Sequence, residues 1–458
     1  FQTSGGVETV KGGAGTDTLS FTEAVALDVS APELEHLYGI EVISLDRAVD
    51  NSSKITLGNA TFTNLGSSTL TIVGSDHAGD DADNEIDASA VTNGSIIVTG
   101  NPRTGVNDTI KGGSGDDIFR FSGTTNLEDG DILDGNGGSD TIQLDASAAA
   151  VTVAIDFDDV TDMEVINVYK GTATTDAGDV TITIEDNDAL TAAQEGALSL
   201  TVDATTMTAN NFIFNNGGTD DIDTALTITG GGKNDTITGS SGHDTISGGS
   251  YTTGDGGDIL SGGSGNDSIT GNAGPDTING EEGNDVMLEG GAGADSINGG
   301  AGNDTMSGGT GADILTGAGG ADNLTGGAGN DSFNFAAVTD SQTSAVDTIT
   351  DFTQSTLNAT TGALVTEGDN VRLTFTMGNS DDIMTFSDKG DETQGLVTSL
   401  LAGNVKGDFA FATDISTLFI DMDGDGTLNA DDYKIKLTGL TSFHDDDLDL
   451  YVTVGTGG

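Results

Sequence analysis

Gly262-Gly263-Ser264-Gly265-Asn266-Asp267-Ser268-Ile269-Thr270 is the clearest copy of a nine-residue unit that runs about eleven times between Gly230 and Asn334. Counted within the unit, the sixth position is Asp in every copy: Asp235, Asp244, Asp258, Asp267, Asp276, Asp285, Asp295, Asp304, Asp313, Asp322 and Asp331. The eighth reads as apolar throughout, at Ile237, Ile246, Leu260, Ile269, Ile278, Met287, Ile297, Met306, Leu315, Leu324 and Phe333. The phase is broken only by a five-residue insertion around Tyr251 and one extra residue, placed at Glu289. A glycine-rich half that can reach φ > 0 makes a turn, and the residues around position eight make a short strand with one inward side chain. One unit buries almost nothing, whereas stacked units line those side chains into a narrow continuous core.

Stacking also brings the sixth-position carboxylates together, where they repel unless a hard cation lies between them. Oxygen donors without His or Cys in the unit select calcium. The expected fold is all-β, a parallel β-roll that closes around calcium. Without the cation, the same composition fits an unfolded acidic chain.

The unit resembles the nonapeptide of the RTX (repeats-in-toxin) family. That resemblance implies a secreted protein that folds on meeting extracellular calcium and leaves the cell by type I export on an uncleaved C-terminal signal. The chain starts at Phe1 and shows no N-terminal signal peptide, which such export would explain.

Composition narrows the partners. Thirteen Lys+Arg against 75 Asp+Glu give a formal charge of -62, which disfavours nucleic acid and anionic membrane surfaces and favours divalent cations. The absence of Cys leaves bound metal as the substitute for disulfides in an extracellular setting. With 71 Gly and no Trp the chain reads as repetitive β architecture, and no apolar stretch is long enough for a transmembrane helix.

Ahead of the array lie two related modules, expected at 1–125 and 126–229. Gly12 to Ser20 is an isolated nine-residue unit and Gly135 to Ile142 the first eight residues of a second, followed by Glu41-Val42-Ile43 and Glu164-Val165-Ile166, and both pairs are offset by 123 residues. Strand-like runs follow at Lys54 to Leu57 and Val180 to Ile184, then an Asp-Ala step at Asp87-Ala88 and Asp203-Ala204. The modules read as tandem β-solenoid or β-sandwich-like units, with brief helical turns expected at Ala31–Leu37 and Asp188–Glu195. Asp17, Asp108, Asp117, Asp131 and Asp140 join the array's aspartates as candidate calcium ligands. The layout resembles RTX proteins of bacterial surface layers.

After the array at 230–334, residues 335–458 are expected to form a C-terminal β cap, since the last coil would otherwise expose its apolar row. Asp347-Thr348-Ile349-Thr350-Asp351-Phe352 and Gly368-Asp369-Asn370-Val371-Arg372-Leu373 look like the cap of RTX proteins. Further on, Asp421, Asp423, Asp425, Gly426 and Asp432 have the spacing of an EF-hand calcium loop, with Asp432 replacing the usual Glu. The flanks alternate like strands, so the loop is expected between two strands and not between helices.

Catalytic signatures are absent: there is no H-E-x-x-H or G-x-S-x-G, and His36, His77, His243 and His444 are scattered. His243 reads as a solvated side chain, and Arg120, Arg372 and the few Lys as local charge partners. The expectation is a non-enzymatic structural protein of the bacterial cell surface, a surface layer, sheath or extracellular filament. It would hold several Ca²⁺ and self-associate into a lattice or filament, in part through calcium bridges, with a cell-surface polysaccharide as a further partner and no membrane insertion. The alternative is the calcium-binding and export region of a larger RTX enzyme, toxin or adhesin.

Overall fold

The computed structural model describes residues 10–21, 27–29, 34, 36–45, 53–65, 67–74, 85–99, 108–122, 124–127, 132–146, 150–156, 160–169, 179–185, 200–207, 210–216, 225–249, 256–335, 345–352, 356–357, 364–366, 370–377, 387–392, 408–412, 417–421, 433–437 and 448–454. The chain divides into two compact units, 1–231 and 232–458.

In the first unit every strand pairing among the described residues is parallel, which makes it a solenoid and not a sandwich. Two ladders show the principle. Val42–Ser44 pairs with Thr69–Val73, which pairs with Ser95–Thr99, then Ile118–Ser122, Thr141–Asp145 and Val165–Tyr169. Ser53–Gly58 pairs with Glu85–Ala90, followed by Thr109–Lys111 and Ile132–Asp134. Alternation sends Ile43, Ile72, Val98, Phe119, Ile142 and Ile166 into the core, each at most 3% exposed.

The Asp-Ala steps are the same turn in both modules. Asp87 Oδ1 accepts Ser89 N–H at 3.0 Å and Asp203 Oδ1 accepts Thr205 N–H at 2.9 Å, with Val91 N–H and Met207 N–H returning to the carbonyls of Ala88 and Ala204. The helical turns fare unevenly. Leu34 is helical, whereas 188–195 lies outside the described residues. A helix that patterning did not suggest spans Asn59–Leu65 and buries Thr61, Phe62 and Leu65. Seven residues hold too few apolar positions to show a 3.6-residue period.

In the second unit the array coils with one strand on each face per pair of units. One face runs Thr236–Thr238, Ile259–Ser264, Thr277–Glu282, Ser296–Ala301, Ile314–Gly319 and Ser332–Phe335. The other runs Thr245–Ser247, Ser268–Ala273, Met287–Ala292, Thr305–Thr310 and Asn323–Ala328. Eighth-position side chains are buried as expected, with one correction. Met287 is 42% exposed, and Leu288, fully buried, takes the core place in register with Ile269 and Met306. The extra residue is thus Val286, beside the Asp, and not Glu289. Both Val286 and Met287 stand opposite Ser268, a β-bulge, because Gly290 must open the next turn and Leu288 lies two residues before it.

Both cap motifs extend the array. Thr348–Ile349 continues one face on Asn323 and Leu324, and Asn370–Met377 continues the other on Ser332–Phe335 before pairing with Leu448–Val454. Thr417–Asp421 and Tyr433–Leu437 pair antiparallel, so the flanks of the EF-hand-like loop are strands. Asp423, Asp425 and Asp432 lie outside the described residues, as does the side chain of Asp421.

Candidate metal centre

The turns bring the sixth-position aspartates into two interior rows. In one, the backbone N–H of each Asp donates to Oδ1 of the next: Asp235 to Asp258, Asp258 to Asp276, Asp276 to Asp295, Asp295 to Asp313 and Asp313 to Asp331, at 2.8 to 3.0 Å. In the other the run is Asp244, Asp267, Asp285, Asp304, Asp322, at 2.8 to 2.9 Å. Asp322 then donates to Oδ1 of Asp347 at 2.8 Å. The cap's first Asp is therefore the last rung, which patterning did not reveal because Asp347-Thr348-Ile349 lacks the glycines before it.

From Asp258 and Asp267 onward one oxygen of each carboxylate is occupied by its row, and the other points elsewhere. A Cβ built on first-position Gly271 would strike Asp276 Oδ2 and the carbonyl of Gly290, and one on Gly299 would strike Asp304 Oδ2 and the carbonyl of Gly317. The same pair of oxygens, own Asp and next coil's glycine, recurs at Gly112, Gly239, Gly248, Gly262, Gly280, Gly290 and Gly308. These first-position glycines are thus required because two oxygens converge where a side chain would begin, while at Gly317 and Gly326 the Asp oxygen alone is met.

Asp140, Asp267, Asp285, Asp295, Asp304 and Asp313 are at most 1% exposed, and their Oδ2 atoms have no hydrogen-bond partner. Buried anionic oxygens are costly without a counter-charge. Burial pushes the carboxyls of Asp140, Asp267 and Asp304 up to about 7 and that of Asp295 up to about 6, and raises those of Asp117, Asp285 and Asp313. Repulsion between row neighbours adds to the rise at Asp267 and Asp304. Among the described residues no three carboxylate or imidazole side chains gather at one point, so backbone carbonyls must complete any shell. Unpartnered carboxylate oxygens beside carbonyls fit a hard divalent cation, which supplies the missing positive charge when bound.

The first unit contains shorter rows. Asp117 donates its N–H to Asp140 Oδ1 at 2.7 Å and accepts from Ile96 and Gly113 N–H groups at 2.6 Å each. Asp17 Oδ2 accepts Gly13 N–H at 2.6 Å in an exposed setting. Asp108 is half-buried at the head of Thr109–Lys111, its carbonyl accepting Ile132 N–H, while Asp131 lies outside the described residues. Sequence reading also missed Asp351, whose two oxygens accept Gly326 and Gly327 N–H at 2.9 and 2.7 Å and so close the last glycine turn.

A second row runs outside. Asn284 N–H donates to Asn266 Oδ1 and Asn303 N–H to Asn284 Oδ1, each at 2.7 Å, and Ala321 N–H to Asn303 Oδ1 at 2.8 Å. His243 begins this row: exposed as expected, its Nδ1 nevertheless accepts Asn266 N–H at 2.6 Å, so it is a rung and not a solvated bystander.

A family model for the RTX calcium-binding nonapeptide repeat in four copies matches residues 2–20, 105–123, 127–148 and 227–250 and, in overlapping stretches, 252–287, 287–315, 299–333 and 307–340. The chain carries RTX calcium-binding repeats. The RTX matches cover both interior aspartate rows of the array and the isolated units of the first 231 residues. RTX repeats bind calcium, and the orphaned oxygens lie inside the matched turns. No curated protein matches the chain. Among the described residues no helix is long and apolar enough to cross a membrane.

Proposed function

We propose that this RTX chain is a secreted, non-enzymatic structural protein of the bacterial cell surface that folds and assembles on extracellular calcium. The observation that supports it most directly is the pair of buried aspartate rows, whose Oδ2 atoms at Asp267, Asp285, Asp295, Asp304 and Asp313 lack a partner. A chain exported unfolded keeps its charges solvated; millimolar calcium outside then meets sites of about 10⁻⁴ to 10⁻³ M affinity, typical of extracellular modules. Each site contributes about RT ln(1 + [Ca]/Kd), and the rows couple these small terms because no coil stands without its neighbours. Repeats and solenoid strands account for most described residues of both units, which favours a structural role over a catalytic one. Self-association into a lattice or filament would use the same calcium, through carboxylates left at subunit edges.

Electron microscopy of the purified chain with calcium and with a chelator tests the assembly. Ordered lattices or filaments are expected with calcium only. Monomers under both conditions would overturn the structural reading and favour a calcium-binding export region of a larger RTX enzyme, toxin or adhesin.

A further inference from the structure

Two carboxylates outside every repeat match sit one coil beyond a repeat turn. Glu164 Oε2 accepts the backbone N–H of Asp140 at 2.6 Å and Glu41 Oε2 that of Asp17 at 2.9 Å, each across 24 residues. Neither Glu follows a glycine-rich turn: the preceding residues are Asp162-Met163 in one module and Gly39-Ile40 in the other.

These irregular coils nevertheless deliver an oxygen where the array delivers one. A Cβ on Gly135 would strike the carbonyl of Asp162 and Asp140 Oδ2, and a Cβ on Gly12 the carbonyl of Gly39 and Asp17 Oδ2. In the array the carbonyl at that place belongs to the first glycine of the next coil, two units on. Asp162 adopts φ 53° and Gly39 φ 60°, 123 residues apart, as are the two glutamates. Glycine and Asp are residues that enter the left-handed region, and their shared conformation gives the two junctions the same turn. Asp140 is fully buried, and its Oδ2, aimed at this junction, has no hydrogen-bond partner.

We propose that the junction is a composite cation site, half repeat turn and half irregular coil: the Asp140 and Glu164 carboxylates and the Asp162 carbonyl hold one calcium-class divalent cation. Asp17, Glu41 and the Gly39 carbonyl form its counterpart in the first module. The proposal rests on the calcium reading of the repeats. Oxygen-only donors of mixed carboxylate and carbonyl type are those a hard cation takes. An acceptor for the Asp140 N–H needs no charge, and Gln would serve as well as Glu; a cation needs the carboxylate. Each ion would tie the strands that follow it, beginning at Val165 and Val42, onto the repeat turn before them.

Native mass spectrometry of the full chain in calcium counts the ions. Glu164→Gln, which keeps an acceptor for the Asp140 N–H, should hold one calcium fewer than the unmodified protein, Glu41→Gln one fewer, and the double variant two fewer. An unchanged count in E164Q overturns the site and leaves a metal-free hydrogen bond. Asp304→Asn separates this failure from a deeper one: if D304N loses calcium and E164Q does not, only the composite site falls, whereas an unmodified chain that holds no calcium ends the RTX reading itself. Hydrogen exchange on the unmodified chain is independent of any variant's folding. Amides 163–166 should gain protection when calcium replaces chelator, and equal protection in both overturns the site.

Discussion

The backbone N–H of Asp285 donates to Oδ1 of Asp304 at 2.9 Å, while Oδ2 of the same Asp304 has no hydrogen-bond partner. One carboxylate thus does two separable jobs, a neutral one that stacks coils and a charged one that calls for a cation. Asp304→Asn keeps an acceptor and removes the charge. In calcium it should lower stability by about 2.7 kcal/mol if the lost site was at a hundredfold excess over Kd. In chelator at neutral pH it should leave stability unchanged or raised, because an amide is cheaper to bury than a carboxylate. Circular dichroism melts with and without calcium check the reversal; equal losses in both would show that the charge has no partner to lose.

Acid should partly replace calcium. The folded-state values of about 7 for Asp267 and Asp304 and about 6 for Asp295 lie above the ordinary 3.8, because burial disfavours the charged form. A group raised in the folded state stabilises the ion-free coil fully below its unfolded value and loses that contribution as pH rises through the folded one. The chelated chain should therefore show more β signal at pH 5 than at pH 8. The calcium midpoint should move the opposite way, rising as pH falls, since the ion needs the carboxylate. A chelated chain less structured at pH 5 than at pH 8 would refute this account.

The bulge makes two neighbouring apolar residues unequal. Leu288 is fully buried and Met287 is 42% exposed. Leu288→Ala should cost about 2 to 5 kcal/mol, and Met287→Ala should stay within about 0.5 kcal/mol. Denaturant midpoints in saturating calcium decide it, and a larger loss at Met287 would reverse the register.

Ala318 stands at φ 67° in the second position of its unit, where Gly291, Gly300, Gly309 and Gly327 stand at 98° to 107°. Releasing a Cβ from the left-handed region offsets the added freedom of the unfolded glycine, so Ala318→Gly should stabilise the calcium form by about 1 kcal/mol. A lower melting temperature for A318G would contradict that balance.

The array was legible because its two strictest demands are written in residue type. Only glycine fits where Asp Oδ2 and a carbonyl converge, and only an apolar side chain fits the core place opposite. Where the demand is met by position alone, the sequence is silent. Counting forward from Asp285 put Met287 inside; counting back from Gly290 gives Leu288, and only the packed coil decides between them. Glu164 and Asp347 carry out the task of a sixth-position Asp without the glycines that would announce it, so both went unread as rungs. Glu164 had been noted only as the start of a duplicated triplet. The helix Asn59–Leu65 was missed for a simpler reason, being shorter than two full turns.

The inner and outer rungs run in opposite senses: Asp285 N–H reaches forward to Asp304, whereas Asn284 N–H reaches back to Asn266. Within the regular part of the array each joins coils 18 or 19 residues apart, and on the other edge Pro275, Ala294 and Ala312 replace asparagine at three successive matching positions. The array accordingly has a smallest increment of length. Gain or loss of a pair of units leaves both rows unbroken, while gain or loss of a single unit transfers the asparagines to the wrong margin, so descendants of this gene should lengthen or shorten by even numbers of repeats.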